Sequence, residues 1–243
     1  MRIDAQGMHY RELNARVREA VARGESAIEI VNVNGQRYIA DGLCAQAAID
    51  IHGIPGNDLC AFMDGPRVVV HGNAQDGIGN TMNSGSVVVH GDAGDVLGYG
   101  MRGGRLFVRG NVGYRVGIHM KAYADHIPAL VAGGSAGDFL GEYMAGGTLL
   151  VLGLNGASAP VGVWCGTGMH GGEIFVRGAL EEHLVAHRHV AVQRASDTDL
   201  ERIRPLVEQF CSEFGLDSKL IMEEKFWRLS PRSSRPFGTK YAA

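Results

Sequence analysis

The sequence has no C-x-x-C pair, few prolines and no long apolar run. Each shortage removes a class of protein. The longest apolar stretches, such as Thr148 to Leu152 and Val68 to Val70, fall far short of the roughly 20 residues that a membrane-spanning helix needs. Met1-Arg2-Ile3-Asp4 lacks the charged-then-apolar order of a signal peptide, and its early acid argues against a transit peptide. A cytoplasmic chain without membrane attachment is the expectation. Cys44, Cys60, Cys165 and Cys211 are scattered, which speaks against a disulfide framework, a zinc ribbon or an iron–sulfur site and leaves four buried thiols. The formal charge is only −3 and Lys and Arg collect into no run, so the footprint of a nucleic-acid binder is missing. What is plentiful is glycine: 36 in 243 residues against 7 prolines. That is about twice the usual share, and the low proline excludes collagen and a disordered linker.

The glycines are periodic. Short β-branched runs end at Gly53, Gly72, Gly91 and Gly110, each 19 residues after the last, and the register continues with insertions at Gly133, Gly153 and Gly178. Met63, Met82, Met101 and Met120 are also 19 apart, and Met144 and Met169 extend that series. A third marker precedes each strand, at Asp64-Gly65, Ser84-Gly85, Gly103-Gly104, Gly146-Gly147 and Gly171-Gly172. The unit therefore reads as glycine-rich turn, strand of about five residues, glycine corner, polar turn, and an arm carrying the methionine. Such a unit cannot bury its apolar side alone. Stacked on its neighbours at about 4.8 Å per coil it makes a continuous core, the logic of a parallel β-helix of about seven coils. Alternation along the strands predicts Val68, Val70, Val87, Val89, Leu106, Val108, Leu149, Val151, Ile174 and Val176 inside, with the methionines filling irregular gaps beside them.

Appendages flank the coils. His9 to Arg23 has helical apolar spacing and ends at Gly24; Ile28 to Val33, Asn34-Gly35 and Gln36 to Ile39 read as a hairpin leading into the first coil. Asp197 to Phe214 reads as a helix behind an Asp or Ser cap, expected to shield an open end of the solenoid. The division is residues 1–44 for the cap, 45–190 for the β-helix, and 191–243 for a C-terminal helix and tail. Ser230 to Tyr241 is polar without core periodicity, a fraying end or an arm laid on a partner.

Gly94-Asp95-Val96-Leu97-Gly98-Tyr99-Gly100-Met101-Arg102-Gly103-Gly104-Arg105 and Gly137-Asp138-Phe139-Leu140-Gly141-Glu142-Tyr143-Met144-Ala145-Gly146-Gly147 resemble the glycine-motif (GXGXG) repeat found in the C-terminal domain of the large chain of glutamate synthase. The stretch from Gly137 to Gly153 is the most specific, and Phe226 to Arg232 is similar to the family's end. A related repeat occurs in a subunit of formylmethanofuran dehydrogenase and in the formyltransferase/hydrolase complex. The resemblance implies a right-handed helix, a hand that periodicity alone does not give. It also implies a non-catalytic role in glutamate biosynthesis: a scaffold between a glutamine amidotransferase subunit and an FMN-binding synthase subunit. This chain has no N-terminal cysteine nucleophile and no flavin barrel, so FMN and the iron–sulfur cluster are expected in partner subunits of a hetero-oligomer. The alternative assignment is the β-helix subunit of a formyl-transfer complex.

Candidate functional residues are weighed against this frame. His52, His71 and His90 share one register, a possible metal column, but Arg109 breaks it on the next coil, which favours a surface ladder. His183, His187 and His189 have helical metal spacing yet fit a solvated connector. Asp58, Asp76, Asp95 and Asp138 recur in the polar turn after the corner, whereas an acid–base residue is needed once and a turn-stabilising Asp in each coil. That repetition also speaks against a carbohydrate-cleaving β-helix. No Gly-Lys-Ser/Thr follows any glycine turn, so a phosphate loop is not indicated. No catalytic, cofactor-binding or metal residue is therefore assigned. The insertion from Gly110 to Gly133, with Tyr114, Arg115, His119, Lys121, Tyr123, Asp125 and His126, is the predicted partner contact, and Leu154 to Met169 with Trp164 is a second.

Overall fold

The computed structural model describes residues 1–235, and among these eleven strands form a single sheet. An N-terminal cap comprises β1 (Arg2–Asp4), helix α1 (Tyr10–Ala22) and β2 (Ala27–Asn34). The coils carry β3 (Ala48–Ile54), β4 (Arg67–Val70), β5 (Ser86–Val89), β6 (Arg105–Val108), β7 (Ala129–Ala132), β8 (Ala145–Val151) and β9 (Gly171–Arg177). After them come β10 (Val190–Arg194), α2 (Asp197–Phe214), α3 (Ser218–Met222) and β11 (Phe226–Pro231). Strands β3 to β9 pair in parallel, each with the next, in a right-handed β-helix. About six turns carry the regular register, rather than about seven. The pairing of β2 with β3 is bulged between Ile30 and Val33, so the first winding belongs to the cap.

Register explains the core. Ile49, Val68, Val87, Leu106, Leu130, Leu149 and Ile174 form one column along the axis, and Ile51, Val70, Val89, Val108, Ala132, Val151 and Val176 a second. All are buried, as are the six methionines of the ladder. The ten strand residues predicted inside are inside.

The methionine arm is not a strand. In a typical coil Asn80 N–H donates to the Gly77 carbonyl and Met82 N–H to that of Gly79, so the arm is two overlapping turns. Such turns require a positive φ at their third residue. Gly79 and Thr81 supply it, at 69° and 54°. The arm is nonetheless tied to both neighbours, Gly79 N–H donating back to Leu59 and Thr81 N–H forward to Tyr99. The middle glycine also faces the core: a Cβ on Gly117 would lie 2.6 Å from Leu149 Cδ1. In the first two windings Ala40 and Cys60 occupy this place, both at φ 61°.

The polar turns use carboxylates as a second ladder. Asp76 Oδ1 accepts from Asp95 N–H, Asp95 Oδ1 from Tyr114 N–H, and Asp138 Oδ1 from Val163 N–H. A parallel row runs through Asn73, Asp92 and Asn111. Each acceptor occupies the volume where the glycine above would carry a side chain, as for Gly113, whose Cβ would sit 2.0 Å from Asp95 Oδ1.

Three expectations for the ends are corrected. The hairpin is absent: β2 pairs in parallel with β1 and β3, and Gln36 to Ile39 form no strand, because Tyr38 stands at φ 61° and begins an arm. Helix α2 has the predicted bounds, with Ser196 and Asp199 forming a capping box, but it does not close an end. It lies along the outer face of the sheet, where Val88, Phe107, Val131, Leu150 and Phe175 join Ile203, Val207, Phe210 and Phe214 in a second core. Glu173 on β9 bonds Arg202 near the start of α2, and Arg67 on β4 bonds Glu213 near its end. Eighteen residues make about 27 Å of helix, enough to follow about 24 Å of stacked strands. The start of the polar tail is ordered: β11 inserts antiparallel between β9 and β10, and Arg232 donates to the His187 and Val190 carbonyls. Pro236 to Tyr241 lie outside the described residues.

Two outcomes test this architecture. Gly117→Ala, at φ 74° against Leu149, is expected to lose about 2–4 kcal/mol, whereas Gly156→Ala, at φ 75° in open space, loses about 1 kcal/mol; urea midpoints give both. The second concerns Asp199. Burial works to raise its carboxyl, but the hydrogen bonds from Ser196 and the charges of Arg228 and Arg202 outweigh it and hold the group below the ordinary carboxylate value. Its stabilising contribution is therefore complete above about pH 3.9 and lost as pH falls through the lowered value. Asp199→Asn should cost about 1–3 kcal/mol near neutrality, with the gap to wild type in thermal melts closing below about pH 4.

Candidate interaction surface

Each coil has three sides: the strand, the polar turn and the arm. The strand side is closed by α2. The arm side is bare, and its turn geometry points alternate residues outward. Middle glycines and methionines face in, so the positions between them present Phe62 on one winding, Asn80 and Thr81 on the next, and Tyr99, His119 and Tyr143 on the three after that. Tyr99 meets the His119 ring edge-on at 5.8 Å between centroids, and His119 stacks on Tyr143 at 5.4 Å. Beside them Arg115 lies 4.8 Å over the Phe139 ring and bonds Glu142 at 2.9 Å. Phe62, Tyr99, Tyr114, Tyr123 and Trp164 are the exposed aromatic side chains among the described residues. All stand on the arm or its flanks.

The predicted contact insertion joins this side. Tyr123 and His126 exchange backbone hydrogen bonds at 3.0 Å in both directions, folding 121–127 into a small exposed hairpin. It stands as a ridge between two hollows. One, of about 550 Å³, is lined by Asp64, Asn83, Arg102, Lys121, Tyr123 and His126. The other, of about 730 Å³, lies toward α2 and includes Arg105, Asp125, Ile127 and Arg202. Lys121, Tyr123, Asp125 and His126 are thus brought together, while Tyr114, Arg115 and His119 belong to the arm row. Trp164, from the second predicted contact, is 59% exposed on that row as well. Sequence reasoning missed Phe62, Tyr99 and Tyr143. Their signal was their place one or two residues before a ladder methionine.

The histidine column is a stacked ladder. His52 and His71 rings lie 4.4 Å apart and 9° from parallel, His71 and His90 5.5 Å and 17°. His52 faces Glu29 and His71 faces Asp50, while His90 packs edge-on against Phe214. Burial first, then His71 and Arg109, hold the His90 imidazole below its usual value. Stacked rings do not converge on one ion. His183 pairs with Glu181, His187 with the Glu182 carbonyl, and His189 Nδ1 accepts from Gly168 N–H, so that cluster is spread along the segment covering the last arm. Among the described residues, no group of three or more His, Cys, Asp or Glu side chains is arranged to hold a metal. Of the recurrent aspartates, Asp76, Asp95 and Asp138 are engaged in the turn ladder described above, whereas Asp58 stands one residue farther on, at the start of an arm, and accepts from the Asn80 side-chain amide, with Asn57 in its place in the ladder.

Cysteine chemistry is equally dispersed. Cys60 and Cys165 are fully buried in separate coils, and burial pushes the Cys60 thiol up and the Cys165 thiol to about 12. Cys211 lies in the second core, its thiol raised by burial and by Asp217 and Glu208. Cys44 is exposed, against the expectation that all four are buried. Thiols dispersed in this way do not fit an iron–sulfur ligand set.

Comparison with known proteins places this geometry among relatives. The model of the GXGXG motif family matches residues 11–232. An uncharacterized protein of Methanocaldococcus jannaschii is 47% identical over 249 residues, covering 98% of this chain and 95% of that one. Among solved structures, a chain in the crystal structure of the formyltransferase/hydrolase complex from Methylorubrum extorquens with methylofuran is similar, with a TM-score of 0.65 and 22% identity over 85% of this chain and 73% of that chain. That likeness is one of fold.

The thiol environments are checked with Ellman's reagent. In native protein Cys44 alone should react quickly, and the other three cysteines only after denaturant is added.

Proposed function

Because this chain belongs to the GXGXG motif family, we propose that it is a non-catalytic β-helix subunit that holds the active chains of a larger enzyme assembly at a fixed separation. The observation that carries this is the bare arm side. A rod with one side already sealed by its own helix presents on another side an aromatic row over successive windings, and aromatic side chains with arginine are the residues that dominate protein interfaces. Stacked turns tied by backbone hydrogen bonds give the rigidity that a spacer needs. The fold likeness to one chain of an assembly built from several different chains supports a hetero-oligomer.

We assign the complex to the glutamate synthase type. The support is the sequence of the repeat, above all Gly137 to Gly153 with its Glu142-Tyr143-Met144. The partners are then a glutamine amidotransferase-like chain and an FMN-binding synthase chain, which hold the flavin and the iron–sulfur cluster. Here the β-helix would form wall surface between them, so that ammonia released at one site reaches the other without escaping to water. The second reading is a formyltransferase/hydrolase complex, favoured by the fold likeness to that assembly.

Native pull-down from the source cells tests both. An amidotransferase and a flavoprotein are the expected companions; a metal-dependent amidohydrolase in their place would transfer the chain to the second reading. The purified chain alone should be folded, colourless and inactive with glutamine and 2-oxoglutarate, and turnover by the isolated chain would overturn the scaffold role.

A further inference from the structure

The residue following each buried arm position forms a column of its own. Asp64, Asn83, Arg102 and Lys121 succeed Met63, Met82, Met101 and Met120, and the backbone confirms the stacking. Asn83 N–H donates to Met63, Arg102 N–H to Met82 and Lys121 N–H to Met101, at 2.9–3.0 Å. Neighbours in the column are therefore about 4.8 Å apart. Its upper half places two cations on adjacent windings, both exposed. Among the described residues neither the Arg102 nor the Lys121 side chain has a hydrogen bond or ion pair, unlike Arg67, Arg115, Arg202 and Arg228. Two like charges stacked without an acid repel each other, and that repulsion is relieved when an anion is brought between them.

The surroundings narrow the class of anion. The hollow of about 550 Å³ above the column is walled by Tyr123 and His126 of the hairpin. The exposed aromatics Phe62 and Tyr99 stand two residues before Asp64 and three before Arg102 along the chain. Asp64, at the lower end, accepts from Ser84 Oγ. A uniformly anionic polymer such as a nucleic-acid backbone would meet this carboxylate, whereas a peptide can carry acid at one end and apolar or neutral groups beyond it. The guanidinium of Arg102 is suited to bidentate recognition of a carboxylate, with Lys121 adding a point charge.

We propose that this column is the seat of an extended acidic segment of a partner protein, its carboxylates between Arg102 and Lys121 and its apolar side chains against Tyr123. The inference rests on the reading above that the chain works within a complex, and it names where on the arm side one partner is held.

The test uses the full-length chain with the companions recovered by native pull-down. Arg102→Glu/Lys121→Glu is expected to weaken association with one companion by about tenfold or more, and the neutral Arg102→Ser/Lys121→Ser pair by less. Far-UV circular dichroism and melting temperature should be unchanged for both. Wild-type affinity for the same companion should fall as salt rises from about 50 to about 500 mM. A photo-reactive residue at Tyr123 should cross-link to an acidic stretch of it. Binding of both variants within about twofold of wild type would overturn the inference while leaving the scaffold role intact, and so would cross-links to a second copy of this chain or to a non-acidic segment. A wild-type chain that purifies with no companion at all would sink the scaffold role, and this inference with it.

Discussion

At the turns of each coil, unlike its strands, backbone stacked on backbone at hydrogen-bonding distance leaves little volume for a Cβ where one winding passes under the next. That exclusion dictates the glycines of the polar turns, where Asp and Asn oxygens fill the space a side chain would take. It dictates the middle arm glycines, which admit the branched side chains of the facing strand. The methionines follow from it as well, because an arm built from two tight turns brings its last residue back into the core at one fixed place. Hydrophobic burial stabilises the rod, but steric exclusion selects its sequence.

Much of this was legible before any coordinates. The two 19-residue ladders and the alternation within strands were enough to identify the solenoid and its inner residues, since both properties repeat in every coil and a repeated signal is hard to miss. What could not be read is what happens once. The path of α2 depends on Val88, Phe107 and Phe175 being apolar on the outward face, and in an alternating strand such residues read equally well as excess hydrophobicity. Asn34-Gly35 has the composition of a hairpin turn and instead bends a coil corner, because the register of β2 is set by β1 and β3 rather than by its neighbour in sequence. The aromatic row was partly hidden for a related reason. Phe62, Tyr99 and Tyr143 sit at positive-φ or inter-turn positions of an arm whose geometry periodicity does not disclose.

The three sides of the coil have separate duties. The strand side is sealed by α2 and anchored at its two ends by Glu173–Arg202 and Arg67–Glu213. The polar-turn side is saturated by its own carboxylate and carboxamide ladder. The arm side offers exposed aromatic rings to a neighbour, and beside them the cations Arg102 and Lys121. The histidine stack, which in sequence resembles a metal column, is used internally: each ring lies on the next, and the last abuts the C-terminal end of α2 through Phe214.

One consequence concerns length. Every winding is closed by contacts with the winding before and after it, and the extra residues between Gly110 and Gly133 leave by the hairpin at 121–127 without disturbing the pairing of β6 with β7. Adding or removing a whole unit would thus change the rod by one strand spacing and nothing smaller. Whatever is attached along it can be moved nearer or farther only in fixed graduations, as on a ruler, and local insertions alter what a given graduation displays without shifting the marks.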